Sequence, residues 1–260
     1  SATAVGALNA TQIGALSSAQ VGALSGAALS VLDGTQVASL TTTQVSGLTT
    51  TQLRGLSATD FGELTATQLG ALSASQVGAL SATNVSSLNA TQVGALTSTQ
   101  LGGLTATQFA SLTATDIGEF SATQVGGLTS SQLAALSATN VSALTATQVG
   151  ALSTTQLRAF TATQVRGLDA TDFGELSTTQ AQALTTTQVG ALSPTIIGGM
   201  TTTQFSSLAV TQISGLTTTQ LDQLTTTNIA ALSTTQMAAF TPTQVQSFDT
   251  AQTAAYLAGS

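Results

Sequence analysis

The 260-residue chain is 42% hydrophobic but only 5% charged and 3% aromatic, and its net charge of −7 sets ten acids against Arg54, Arg158 and Arg166. A near-normal apolar fraction separates it from disordered chains, which combine low hydrophobicity with high charge. Three basic groups exclude a nucleic-acid surface or strong attraction to an anionic membrane, and no apolar run is long enough to span a bilayer.

His, Cys, Trp and Lys are absent. Without Cys the redox compartment is not readable, although the lack of Cys is compatible with export. No basic and apolar leader opens the chain, so any signal peptide is expected outside it.

From Ser1 every eighth residue opens a new unit, and thirty-two octads fill residues 1–256, with 257–260 left as a tail. Thr65-Ala-Thr-Gln-Leu-Gly-Ala-Leu72 is a typical copy. Position 1 is Ser, Thr, Asn or Asp in 31 of 32 copies, Ala209 being the exception. These are the leading helix N-caps. Position 4 is Gln, Asp or Asn in 29 copies, the exceptions being Ala4, Ala28 and Ile196. Ser or Thr followed three residues later by Gln makes a capping box.

Positions 5 and 8 carry the large apolar residues, including all eight Phe and both Met, and only Ala181 and Thr253 break position 5. Position 8 and the next position 5 then stand as N′ and N4 of a hydrophobic staple. The spacing predicts one short helix per octad, ended and restarted at each Ser or Thr.

A continuous helix is excluded because an octad advances about 800°, so its apolar stripe would rotate by about 80° per repeat. Thr, Val and the frequent Gly at position 6 are poor helix formers, which favours the competing reading, a β-solenoid with sixteen-residue coils. The apolar spacings of three and five are odd, however, and put the two apolar sites on opposite faces of an uninterrupted strand. The expected fold is therefore an all-α solenoid of very short capped helices. Two octads per coil are expected, with three also open.

Helices of this length do not stand alone, and each coil is expected to lean only on its neighbours. Small residues at positions 2, 6 and 7 would let backbones approach closely. In chain order, the register survives the degenerate copy Ser25 to Leu32. Paired acids then appear at Asp60/Glu63, Asp116/Glu119 and Asp172/Glu175, each 56 residues after the last. The Asn octad at Ser81 returns at Ser137 with the same spacing. We read this as a duplicated seven-octad block, whose copies would alternate sides of a two-octad coil.

Pro194 and Pro242 both sit at position 2, the first helical position, where proline is favoured. Ser1 opens a repeat without a capping variant, as if the array were cut from a longer one. Thr253 and Tyr256 depart from the pattern, as if the array finished there.

The acid pairs are weak calcium candidates, since hard cations take oxygen ligands. Carboxylates at helix starts, paired with Arg54 and Arg166 six residues earlier, account for them more simply. They lack the second perturbed group that acid–base catalysis needs. No His, Lys or Cys is present to activate the many hydroxyls, so no enzyme activity, cofactor or catalytic residue is expected.

Runs such as Leu144-Thr-Ala-Thr-Gln-Val-Gly-Ala-Leu152 resemble the Thr/Gln/Leu-rich arrays of very large secreted bacterial proteins described as adhesion or haem-utilisation proteins. The resemblance implies an extracellular or cell-surface extender: a stalk, spacer or filament-forming subunit. The calcium nonapeptide of type I-secreted proteins is missing, and with no His or Cys and both Met at core positions nothing here ligates haem. The expected partners are further repeats, joined covalently or by end-to-end or lateral self-association, with no nucleic acid and no membrane insertion. The second reading is a ligand-binding solenoid, its Ser/Thr face meeting a glycan or ice; Thr-x-Thr resembles the ice-binding face of insect antifreeze solenoids.

Overall fold

The computed structural model describes residues 1–259, and Ser260, the last residue of the expected tail, lies outside them. Among the described residues there are thirty-two α-helices, α1 (Ala2–Gly6) to α32 (Thr250–Gly259), one per octad, and no strand. This is the all-α solenoid of short capped helices, and the sixteen-residue β-coil is not formed.

α9 (Ala66–Gly70) shows how an octad folds. Thr65 is extended (φ −70°, ψ 157°), its Oγ1 accepts from the Gln68 N–H, and Gln68 Oε1 accepts from the Thr65 N–H at 2.7 Å. Two of the donors orphaned at a helix start are thereby satisfied reciprocally. At the other end the Leu72 N–H reaches back three residues to the Leu69 carbonyl at 3.1 Å. Position 8 then leads into the next extended cap, and the chain bends.

No described residue, glycine included, has positive φ, so these helices do not end in the usual left-handed cap. The prolines begin α25 (Pro194–Gly199) and α31 (Pro242–Gln246) at the expected position. Ala209 lacks a capping oxygen, and there only the Gln212 half of the box remains, at 2.8 Å.

The coil is larger than the expected two octads. α9 packs on α12 (Ala90–Ala95), and α10 (Ala74–Gly78) on α13 (Ser98–Gly102), three octads on. The position 4 amides reach back 28 to 31 residues. A step of 28 residues is three and a half octads, so helices of one coil sit staggered against those of the next. Each octad then turns the chain by about 100°, a bend that an extended cap makes without left-handed residues.

Chain contacts divide the molecule into two compact units, Ser1–Leu136 and Ser137–Ser260. In the first, Leu53, Phe61, Phe109 and Leu133 are fully buried; in the second, Leu157, Val165, Phe205 and Ile213 are. All come from position 5, and most position 8 residues join them in the lumen.

Glycine at the helix ends permits close approach. A Cβ on Gly78 would collide with the Gly103 carbonyl, and one on Gly103 with Ala74. At the end of the second unit the last helix runs through Leu257 to Gly259, because no cap residue stands at 257. Tyr256 packs there on Phe240 and Phe248, with ring centroids 6.1 and 5.8 Å away.

Candidate functional site

Position 4 is where the fold concentrates its polar chemistry. Its Gln is buried in most octads, as at Gln44, Gln132, Gln188 and Gln220. A buried primary amide is costly unless its donors and acceptor are all used. Gln132 uses them fully: Oε1 accepts from the Thr129 N–H at 2.9 Å, and Nε2 donates to the Leu101 and Leu104 carbonyls, both at 2.8 Å.

Those carbonyls stand at the end of α13, where regular helical partners run out. One side chain thus caps the start of its own helix and the end of a helix in the coil before. In the second unit Gln220 repeats the arrangement, its Nε2 donating to the Val189 and Leu192 carbonyls, both at 2.8 Å.

Nine octads depart from Gln, at Ala4, Ala28, Asp60, Asn84, Asp116, Asn140, Asp172, Ile196 and Asn228. Their spacing alternates between 24 and 32 residues, so it averages one 28-residue coil. In each unit they mark one column, a seam in the Gln ladder.

Contacts within each unit follow that column. In the first, α8 (Ala58–Gly62) packs on α11 (Ala82–Ser86), and Ser86 Oγ donates to Asp116 Oδ2 at 2.9 Å. In the second, Ser142 Oγ donates to Asp172 Oδ2 at 2.6 Å, and Asn228 Nδ2 donates to the Met200 carbonyl at 3.2 Å. The 56-residue recurrence is two coils. The copies at Asp60 and Asp116 therefore share one column of the first unit and do not alternate sides as a two-octad coil requires.

Ala4, Ala28 and Ile196 do none of the work of Gln, whereas the Asn and Asp side chains of the seam do part of it. Asn84 is too short to do both tasks: its amide donates to the Leu56 carbonyl at 3.1 Å, and its helix has no capping box. Asp60, Asp116 and Asp172 do the opposite. They accept from the N-cap N–H of Ser57, Thr113 and Asp169 at 3.2, 2.7 and 2.8 Å, but a carboxylate has no N–H to give the coil before.

Glu63, Glu119 and Glu175 stand three residues further on, at the C-caps of their helices. Each residue is half-buried, yet its Oε2 is buried without a hydrogen-bond partner. Burial is the main cause that pushes all three carboxyls above the ordinary 4.5. Asp60 and Asp33 add to it at Glu63, Asp116 at Glu119, and Asp172 and Asp169 at Glu175.

Among the described residues no ion pair ties Arg54 or Arg166 to these acids, and Arg158 Nε instead donates to the Ala183 carbonyl at 2.9 Å. No group of three or more acidic, His or Cys side chains that could hold a metal occurs among the described residues. Two carboxylates fall well short of the six to eight oxygens calcium takes. Small lumen cavities recur beside the aspartates, of about 20 Å³ at Asp60, 10 Å³ at Asp116 and 20 Å³ at Asp172, each room for about one water.

Pooling Asp, Asn and Gln as cap partners hides the seam in the sequence. The 24/32 alternation is the signal that finds it.

A family model described as the ALTTAQ repeat matches residues 213–250. Within that stretch Ala231-Leu-Ser-Thr-Thr-Gln236 runs from position 7 to the clamping Gln. No curated protein matches the chain. The chain is a structural repeat module, and no helix among the described residues is long and apolar enough to cross a membrane.

Proposed function

We propose that the module serves as an extracellular stalk, spacer or filament-forming segment of a surface or secreted protein, and that it has no catalytic role. The observation that carries this reading is the use of position 4: amides that could meet a ligand are buried in caps and inter-coil bonds, as at Gln132. Most position 1 hydroxyls are likewise occupied as N-caps, which leaves position 3 as the main exposed hydroxyl row. Three Arg and no Lys leave few sites for trypsin-like proteases, which suits a segment outside the cell.

Antibody against the module, applied to source cells before and after permeabilisation, tests the location. Labelling of intact cells is expected. Labelling that appears only after permeabilisation contradicts the proposal.

A further inference from the structure

The three seam glutamates are half-buried titratable groups, each with one buried carboxyl oxygen that the fold leaves unused. Each has a buried Oε2 without a partner, at the same octad position and 56 residues from the next. Each stands three residues after an Asp, on the same helix face. The Asp is already committed as an acceptor, to its own N-cap and, at Asp116 and Asp172, to a serine of the neighbouring coil.

The charged groups facing these glutamates are all acids: Asp60 and Asp33 at Glu63, Asp116 at Glu119, and Asp172 and Asp169 at Glu175. No basic group offsets them. Beside each Asp lies one of the lumen cavities, in the column where the Gln amide is missing.

We propose that the Asp60/Glu63, Asp116/Glu119 and Asp172/Glu175 pairs are proton-operated clamps that tighten the seam in mild acid and loosen it when the glutamates ionise. Each pair takes one proton from solvent. The protonated Glu gains an O–H that the neighbouring Asp carboxylate can accept, so the pair shares one proton as close carboxyls do. Loss of that proton leaves two like charges and a buried oxygen with no donor.

The sign follows from linkage. A carboxyl raised in the folded state binds its proton more tightly folded than unfolded. Its stabilising effect is complete below the ordinary 4.5 and is lost as pH rises through the raised folded value. This runs opposite to the usual acid denaturation of proteins with paired carboxylates.

Urea unfolding of the full chain between pH 4 and pH 7.5 tests the proposal, with E63Q/E119Q/E175Q as the variant and D222N/D249N as the charge control. The wild-type midpoint is expected to fall as pH rises. The Gln variant should show less than half of that change, and the control should keep most of it. Equal pH dependence in wild type and Gln variant overturns the proposal, as does a control that removes as much as the variant. If the variant fails to fold, infrared titration of the wild type from pH 4 to pH 7.5 decides: a protonated-carboxyl band that persists to higher pH in the folded chain than in the urea-unfolded chain supports the clamp, and bands lost together overturn it.

Discussion

A Gln column and the seam are built from the same octad and differ mainly in one side chain. Gln132 spans its own N-cap and two carbonyls of the coil before. Of those bonds, Asn84 makes only the inter-coil one and Asp116 only the cap. The length of Gln, with acceptor and donor on one planar group, lets a buried polar residue do both. Coil stacking here uses amide geometry as well as the apolar lumen.

The largest effect should come from breaking a complete clamp. Gln132→Leu keeps the volume but takes a donor from the Leu101 and Leu104 carbonyls and the acceptor from the Thr129 N–H, and should cost about 3 kcal/mol. Urea unfolding, with hydrogen exchange at α13 and α17 (Ser130–Ala135), measures it. Completing a half clamp is the converse. Asn84→Gln adds the missing cap bond and should stabilise by about 1 kcal/mol, read as a higher urea midpoint. The smallest effect is expected at Ala209→Ser, which restores the absent capping oxygen and should gain about 0.5–1 kcal/mol.

The helices, their caps and the lumen residues are legible in the sequence because those signals are local. Ser or Thr, Gln, proline and the apolar pair act within one octad and fix one register. The coil size is not legible from them, since it depends on which carbonyl the Gln amide reaches 28 residues away. The exceptions at position 4 do record it, as a spacing and not as a motif. The burial of one Glu oxygen in each pair has no sequence signal, because it depends on the coil packed against it.

The ladder, its seam and the stagger of the helices all require a coil of three and a half octads. The chain has no cysteine, so disulfide trapping tests this without background. A Cβ on Gly47 would lie 2.9 Å from the Ser18 Cβ, so a small shift brings the pair to the about 3.5–4.5 Å of a disulfide. Ser18→Cys with Gly47→Cys should cross-link readily under mild oxidation, while Ser18→Cys with Gly34→Cys, sixteen residues apart as a two-octad coil would stack them, should stay reduced. Cross-linking of the second pair in place of the first would contradict a coil of that size.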